Sequence, residues 1–384
     1  MATKGKVFSR SAIYTLLIAA SMLFLTPFVW LISSSLKPLE QTMTMPPTLV
    51  PHAYYASIDG QRVEVTVDFT IKQPGIVADV VAGARAGQRV LLTPAEALAR
   101  AAELRGAHRV AAGWSHVTER REAGAARDTN PRWDIVPSES VESTIRFRWE
   151  NYPRALASLG GRADAPDGST RVGFWVFLSN TLIVCVLGVI GTVLSNAIVA
   201  YGFARLRWRG RDAFFALTLA TLMVPFPVLM VPLYGVFREL HWIGTLMPLW
   251  VPAFFGSAFN IFLMRQFFLG IPEELSEAAR IDGASEWTIF WRVVIPLSKP
   301  VLAVSALFHF LYAWNDFMGP FLYLTRKETF TLSIALQNYQ SQLGGVQWHY
   351  LMAASAVTMM PIVVLFFFAQ KTFIQGIATT GSKN

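Results

Sequence analysis

The sequence predicts an all-α polytopic membrane protein with six transmembrane helices and a small α+β domain inserted between the first two helices. Of its 384 residues, 53% are hydrophobic and only 15% are charged, which is too apolar for an ordinary soluble protein. Several apolar runs exceed the ~20 residues that a helix needs to cross a bilayer. A charged segment, residues 53–145, separates the first of these runs from the others.

The charge distribution favours a lipid bilayer over nucleic acid as the partner of this chain. The net charge is +8, but the basic residues gather in short loops beside the apolar runs, a pattern that sets membrane orientation. The histidines are scattered without metal-ligand spacing, and no GxxxxGK[ST] phosphate loop is present. Since no catalytic constellation stands out either, we expect no metal, no cofactor and no enzymatic activity.

The first apolar run, residues 12–32, follows the basic residues Lys4, Lys6 and Arg10. It is longer than the roughly 7–15 apolar residues of a signal peptide, and it lacks an A-x-A cleavage site. We therefore interpret residues 1–52 as an N-terminal tail and the first transmembrane helix.

The inserted segment, residues 53–145, has the patterns of a water-soluble α+β domain. Residues 61–71 alternate between apolar and polar side chains after an Asp59-Gly60 turn, which predicts a half-buried strand. A capping box at residues 93–96 predicts a helix that Gly106 ends. The remaining expectations are strands at residues 109–117 and 144–149 and a loop at residues 119–130.

The remaining transmembrane helices and their orientation follow from the later apolar runs. Arginines crowd residues 205–211, and this clustering predicts that the loop is cytoplasmic. Alternation then puts both termini and the polar stretch 270–300 inside, and the domain 53–145 outside. The expected spans lie at residues 174–203, 213–237, 246–268, 301–324 and 351–373.

The polar stretch 270–300, which we call the polar hairpin, predicts two short helices. Pro272 suits the first position of a helix, and Gly283 supplies the left-handed residue that ends it. Helical spacing puts Leu275, Ala278 and Ala279 on one face. Ser285 can cap a second helix, which Pro296 is expected to stop. On physical grounds alone, an ordinary amphipathic connector explains this pattern equally well.

The hairpin also carries a family resemblance. Glu277-Ala278-Ala279, Gly283, Val293, Ile295 and Pro296 resemble the EAA signature of ATP-binding-cassette (ABC) importer permeases. The resemblance implies that the hairpin is the cytoplasmic coupling loop, which docks into a groove of the ATPase subunit. The residues it assigns to that contact are Glu277, Ala278, Ala279, Asp282, Gly283 and Pro296.

Further short motifs resemble the carbohydrate branch of these permeases, the MalG-like inner-membrane components of binding-protein-dependent transport. They occur in the branch's order at Glu150-Asn151-Tyr152, Asn180-Thr181, Ala200-Tyr201 with Arg205 and Gly210-Arg211, residues 314–317, and Gln370-Lys371 with Gly376.

This resemblance implies one permease subunit of a bacterial cytoplasmic-membrane importer for a sugar or oligosaccharide. The implied partners are a MalF-like second permease, a dimer of ATPase subunits and an extracytoplasmic solute-binding protein. It covers residues 1–51 loosely and residues 149–384 well. Residues 53–145 depart from the MalG pattern, in which the first outer loop is short, so no function carries over to them.

Several alternatives remain at the level of the sequence. The importer could carry another small polar solute, or the chain could be a stand-alone facilitator or channel. A membrane enzyme or sensor with its active part in the outer domain is a third class, but that domain offers no catalytic motif.

Polar residues inside the apolar runs are candidates for the substrate pathway, because an ionised Asp exposed to lipid at mid-bilayer costs at least about 2.5 kcal/mol. The same side chains could instead hold helices together by interhelical hydrogen bonds. Similarly, Pro225, Pro227 and Pro232 predict either a functional bend or a static kink in the third span. The candidate pathway residues are Asn180, Asn260, Trp314, Asn315 and Asp316.

Overall fold

The computed structural model describes residues 2–44, 47–58, 60–71, 75–82, 89–92, 94–110, 114–119, 133–159, 172–337, 339 and 347–381. The chain divides into two compact units, Met1–Asn151 and Tyr152–Asn384. Each unit is described by itself below.

The first unit contains one long apolar helix followed by two antiparallel sheets. Helix α1 spans Ala2–Ser35, and its part from Ala12 to Ser35 is long and apolar enough to cross a membrane. The remaining elements are β1 (His52–Ile58), β2 (Gln61–Ile71), β3 (Gly75–Val80), β4 (Arg89–Leu92), α2 (Pro94–Ala99), β5 (Leu104–Val110), β6 (Trp114–Glu119), β7 (Trp133–Pro137) and β8 (Glu142–Ile145).

The larger sheet has the strand order β7-β6-β2-β1-β8, and the smaller sheet has the order β4-β3-β5. The first and last strands of the segment pair with each other, with His52 opposite Ile145. Opposed residues of an antiparallel pair lie about 5 Å apart. The chain therefore enters and leaves the sheet region at neighbouring points.

The predicted strand over residues 61–71 is confirmed as β2. Its central residue Val65 is buried in a small core with Ala56 and Val117, and Val63 and Val67 pack against that core. Alternating apolar side chains thus do face one side, as the period-2 pattern requires.

Two other expectations for this segment were wrong or incomplete. Gly106 does not end a helix, because α2 stops at Ala99 and Gly106 lies inside β5 with φ of 68°. The pairing of β3 with β5 shifts register between Val77 and Asp79, so the glycine serves a bulge instead. Strands β1, β3, β4 and β7 were not predicted. The one strand expected at residues 109–117 overlaps two strands, β5 and β6, and the strand expected at residues 144–149 ends at Ile145 as β8. Of the loop expected at residues 119–130, Glu119 belongs to β6 instead. Residues 120–130 and the capping residue Thr93 lie outside the described residues.

The second unit is built of helices. They are α3 (Asn151–Ser158), α4 (Phe174–Ala204), α5 (Arg211–Ala220), α6 (Phe226–Glu239), α7 (Met247–Trp250), α8 (Ala258–Leu269), α9 (Glu273–Ile281), α10 (Glu286–Ile289), α11 (Ile295–Leu297), α12 (Lys299–Asn315), α13 (Met318–Tyr323), α14 (Leu332–Gln337) and α15 (Trp348–Gly381).

In the described part of the chain, four stretches are long and apolar enough to span a membrane by themselves. Two further bent pairs reach that length together, with bends of 100° and 79° between their halves. The 100° bend falls between residues 223 and 226, where Pro225 lacks the N–H that a continuous helix would use. The four single stretches are Ala12–Ser35, Phe174–Ala204, Met247–Leu269 and Trp348–Gln370.

Helix α4 lies at the centre of the second unit and packs against α8, α12 and the 3-10 turn Val251–Phe255. Two glycines make this packing close. A Cβ on Gly188 would lie 2.3 Å from Nε2 of His309, and one on Gly191 would lie 2.4 Å from the ring of Phe254. The absence of side chains at these positions therefore allows an aromatic ring from each neighbour to lie directly on the α4 backbone.

Candidate functional site

The first arm of the polar hairpin ends in the manner that its sequence predicted. Helix α9 stops at Ile281, and Gly283 follows with φ of 81°. Its N–H donates to Arg280 O at 3.0 Å, and the N–H of Ala284 donates to Ala279 O at 2.9 Å. These two bonds make a Schellman motif, which needs a left-handed residue where glycine stands.

The second arm starts as expected but does not end where expected. The hydroxyl of Ser285 accepts the N–H of Thr288 at 3.2 Å and caps α10. Pro296 does not stop the helix: it lies inside α11, and the chain breaks only at Ser298. A π-helical segment, Phe290–Val294, precedes it, and Ile295 N–H bonds Phe290 O. This wider turn accommodates the proline that an α-helical ladder would reject.

The structure decides which side of α9 is buried, a point that the helical spacing left open. Ser276 is buried and Ala279 is half-buried against a core formed by Met264, Phe268 and Ile289, whereas Leu275 and Ala278 are exposed. The face shared by Leu275, Ala278 and Ala279 is therefore covered by this chain only at Ala279.

Two side chains from the end of α4 tie the hairpin to the second unit. Arg205 donates from one guanidinium nitrogen to Phe268 O at 2.7 Å and to Ile271 O at 2.5 Å. These carbonyls end α8 and begin the hairpin, and a charged donor is well suited to carbonyls left free at a helix end.

The second contact runs through a carboxylate. Tyr201 donates its hydroxyl proton to Glu286 at 2.6 Å, and Arg280 donates to the other oxygen of that carboxylate at 2.8 Å. The hydrogen bond from Arg280 to Glu286 raises the pKa of the Arg280 guanidinium. One carboxylate thus joins α4 to both arms of the hairpin.

The exposed surface of the hairpin, which we call its outer face, carries both apolar side chains and carboxylates. Ile281 is 87% exposed, Trp287 is 59% exposed and Leu275 is 45% exposed. Glu277 and Asp282 lie among them, also exposed, and no hydrogen bond of the Glu277 carboxylate occurs within the described residues. Exposed apolar side chains with carboxylates between them are typical of a surface that another protein covers.

Sequence reasoning missed Arg280 and Glu286 as a functional pair. They are six residues apart across a turn, so no helical periodicity connects them. Tyr201 and Arg205 had been noted only as part of a motif, and their partners lie 63 to 85 residues further along the chain.

Of the candidate pathway residues, Asn180, Asn260 and Trp314 make bonds between elements. Asn180 donates to Glu328 O at 2.8 Å and to Phe330 O at 3.0 Å. Asn260 accepts the hydroxyl of Ser305 at 2.8 Å, and the Trp314 indole donates to Thr358 O at 3.2 Å.

The remaining two candidates lie where the expected fifth span breaks. Helix α12 ends at Asn315, whose amide donates to Leu311 O at 2.8 Å within the same helix. Asp316 follows in an extended conformation, and its carboxylate accepts the N–H of Gly319 at 3.1 Å, at the start of α13. Because the helix breaks between them, these adjacent residues have different surroundings. Asn315 is exposed, and Asp316 lines a cavity.

That cavity has a volume of about 400 Å³ and lies between α6, α7 with the turn after it, and α12 with α13. Aromatic and aliphatic side chains form most of its wall, and the polar groups are contributed by His309, Tyr312, Asp316 and Tyr323. Gly244 N–H donates to Tyr323 O at 2.8 Å, so the cavity lies where the loop before α7 meets the end of α13. The loop before α7 precedes the span Met247–Leu269, whereas the hairpin follows the end of that span at Leu269. The cavity and the hairpin are therefore associated with opposite ends of this span.

An apolar helical unit with a polar hairpin at one end of its spans and a cavity towards the other end has the architecture of a membrane transporter component. The chain belongs to the family of binding-protein-dependent transport system inner membrane components, whose family model matches residues 196–379. That match contains the hairpin and the cavity-lining helices. It is a family of transporter permeases rather than of enzymes.

Relatives and solved structures agree with this assignment. The chain is 36% identical over 210 residues to the arabinooligosaccharides transport system permease protein AraQ of Halalkalibacterium halodurans, covering 55% of this chain and 75% of AraQ. It is 34% identical over 211 residues to the sn-glycerol-3-phosphate transport system permease protein UgpE of Yersinia pestis bv. Antiqua, covering 55% and 75%. A bacterial ABC transporter involved in the import of the acidic polysaccharide alginate matches with a TM-score of 0.51 and 25% identity, over 59% of this chain and 80% of that one.

Proposed function

We propose that this chain is a permease subunit of an ABC importer that carries a sugar or oligosaccharide across the bacterial cytoplasmic membrane. The observation that carries the proposal is the polar hairpin, held to α4 by Arg205 and Tyr201 while its outer face stays exposed. The EAA-like sequence of that hairpin and the permease relatives support the same function.

The hairpin would couple ATP use to transport. When two ATPase subunits close on ATP, a hairpin docked on them moves with them, and its bonds to α4 carry that movement into the membrane helices. We propose that Glu277 and Asp282 make charge contacts with the ATPase, and that the exposed residues Ala278 and Gly283 permit its close approach. Ala279 would permit close packing of α9 against the core of this chain instead. Pro296 lies beside the π-helical segment, where the hairpin joins α12.

A neutral sugar fits the cavity better than a phosphorylated solute does. UgpE is named for transport of sn-glycerol-3-phosphate and AraQ for transport of arabinooligosaccharides. The residues that line the cavity include Asp316, and no Lys or Arg is among those described. A carboxylate without a nearby cation repels a phosphate but accepts hydroxyl protons. We therefore keep Asp316 as the pathway residue to test first, and Asn180, Asn260, Trp314 and Asn315 as secondary candidates.

The proposed assembly contains a MalF-like second permease, two ATPase subunits and an extracytoplasmic solute-binding protein. In that assembly the chain would cross the membrane six times, with each bent helix pair counted as one span and both termini cytoplasmic. Residues 53–145 would form an extracytoplasmic domain, residues 1–52 the tail and first span, and residues 146–384 the permease core with its coupling loop at 270–300. The arginines at residues 205–211 favour this orientation.

Purification of the chain with its native partners tests the proposal. We expect a permease and an ATPase to co-elute, and the reconstituted complex to take up radiolabelled arabinotriose or maltotriose only when ATP and the binding protein are supplied. Uptake by this chain alone, without ATP, would instead favour a stand-alone facilitator.

A further inference from the structure

We infer that the cavity lined by Asp316 and Tyr323 is a sugar-binding site carried by this subunit itself, which receives one sugar unit during transport. The inference rests on the proposed function and adds to it the residues that hold the substrate. Its volume of about 400 Å³ falls within the usual range of about 300–1,000 Å³ for small-molecule sites.

The hydroxyl of Tyr323 is the first argument for a polar ligand. The side chain is 3% exposed and lines the cavity, yet its hydroxyl has no hydrogen-bond partner among the described residues. The ring is held by Phe237, whose centroid is 5.1 Å away in an edge-on contact, and by Tyr234 at 6.4 Å. A buried hydroxyl without a partner is unfavourable. Because the side chain that carries this one lines a cavity, we take a ligand in that cavity as the source of the partner.

Asp316 provides the second polar group. One carboxylate oxygen accepts the N–H of Gly319 at 3.1 Å, which fixes the side chain at the break between α12 and α13. The other oxygen occupies space that any larger residue at position 319 would take, since a Cβ there would lie 2.5 Å from it. A carboxylate oriented in this way can accept sugar hydroxyl protons.

The rest of the wall suits the apolar face of a sugar ring. Trp242, Phe237 and Phe255 line the cavity, and Trp242 stacks on Phe237 with centroids 5.7 Å apart. Pyranose and furanose rings present C–H groups on their faces and hydroxyls at their edges, so aromatic walls with a few polar groups match both parts.

These polar groups also decide between possible occupants. A lipid acyl chain would offer Asp316 and Tyr323 neither a donor nor an acceptor, which is costly for both groups. A sugar supplies both. The cavity lies towards the end of the spans opposite the hairpin, which in the proposed orientation is the side from which the sugar enters.

The test compares two tyrosine variants in the assembled importer, reconstituted with saturating binding protein and ATP. Tyr323→Phe removes the cavity hydroxyl, whereas Tyr234→Phe removes a hydroxyl from the ring that stacks on Tyr323 but does not line the cavity. We expect the maximal uptake rate of radiolabelled arabinotriose or maltotriose to fall about 3-fold to 10-fold in Tyr323→Phe. Asp316→Asn should lower it by about 10-fold or more, and Tyr234→Phe should leave it unchanged.

A thermal unfolding measurement separates a binding role from a structural one. Since the Tyr323 hydroxyl lacks a partner among the described residues, Tyr323→Phe should unfold at the same temperature as the wild type or at a higher one. Wild-type uptake in Tyr323→Phe and Asp316→Asn would overturn the inference while leaving the proposed function intact. Failure of either variant to assemble with its partners would also overturn it, because the cavity wall would then be a subunit contact. A wild-type complex without ATP-dependent uptake would overturn the proposed function, and the inference with it.

Discussion

The phenol of Tyr201 donates a 2.6 Å hydrogen bond to Glu286, and the two residues are 85 positions apart in the chain. Tyr201 lies in the last turn of α4, and Glu286 begins the second arm of the hairpin. The Tyr201 ring also packs against the ring of Phe290, four residues after Glu286, with centroids 5.1 Å apart. This contact joins the central membrane helix to the element proposed to meet the ATPase.

Removal of this contact should uncouple ATP hydrolysis from transport. We expect Tyr201→Phe and Glu286→Gln each to weaken the hairpin–α4 contact, with an interaction energy of about 1–2 kcal/mol between the two sites in a double-mutant cycle on thermal stability. Uptake per ATP hydrolysed should fall in both variants. Ser179→Ala is the matched control, because the bond of that hydroxyl in the described part of the chain is to Val176 O of the same helix. Additive effects of the two substitutions would contradict direct coupling.

Substitutions at Gly283 separate backbone strain from contact with the ATPase. A Cβ at this position would meet no atom of the described residues within 4 Å, so the positive φ is what opposes a side chain there. Gly283→Ala should therefore destabilise the hairpin by about 1–2 kcal/mol. Asp and Asn tolerate the left-handed conformation better, so Gly283→Asp and Gly283→Asn should fold and insert but fail to bind the ATPase. Normal uptake by Gly283→Asn would show that close approach at this residue is not required.

Two glycines of α4 provide a matched pair for helix packing. Gly188→Ala should destabilise the protein by about 1–3 kcal/mol, because its Cβ would lie 2.3 Å from His309, whose ring also bonds Thr192 at 2.9 Å. Gly202→Ala, in the same helix with open space around it, should be neutral or stabilise by up to about 1 kcal/mol. Thermal unfolding of the detergent-solubilised complex measures both. Equal midpoints for the two variants would be inconsistent with the packing described.

The paired ends of the inserted segment make its removal feasible. His52 and Ile145 are opposed residues of β1 and β8, so a linker of a few Gly and Ser residues can replace residues 53–145. The surrounding contacts of Asn151 with Ser35 O and Lys37 O, both at 2.8 Å, would remain. If the segment docks the binding protein, uptake at low sugar concentration should collapse while basal ATPase activity persists.

Two other results of this deletion are informative. Unchanged uptake would rule out docking as the role of the segment. Loss of the whole complex would instead assign it a supporting role. The deletion also removes Glu64, which forms an ion pair with Arg148. The described carboxylate partner that Arg148 keeps is Glu150, at 3.6 Å.

The proposed orientation is tested by reporter fusions. Insertions at Gly210, in the arginine-rich loop, and at Ser140, in the inserted segment, should report opposite sides of the membrane. An alkaline phosphatase and a fluorescent-protein reporter at each position give complementary signals. Both sites on one side would contradict the six-span arrangement.

The sequence by itself determined the features that depend on neighbouring residues. The length of the apolar runs identified the candidate transmembrane segments. The alternation of apolar and polar residues identified β2, and Pro272 and Gly283 marked the start and the end of the first arm of the hairpin. These features follow from local backbone sterics and from the burial of one face, so a short window of residues contains the information. Family motifs then placed the hairpin in a transporter.

Only the tertiary structure decided which polar groups meet and which face a cavity. Trp314 and Asp316 are two residues apart, yet one is buried in the core and bonds Thr358 O, and the other turns into the cavity at a helix break. Arg205 and Glu286 find their partners on helices distant in the chain. Such contacts depend on how helices pack against each other, and side-chain chemistry in one segment does not specify the segment that will lie opposite it.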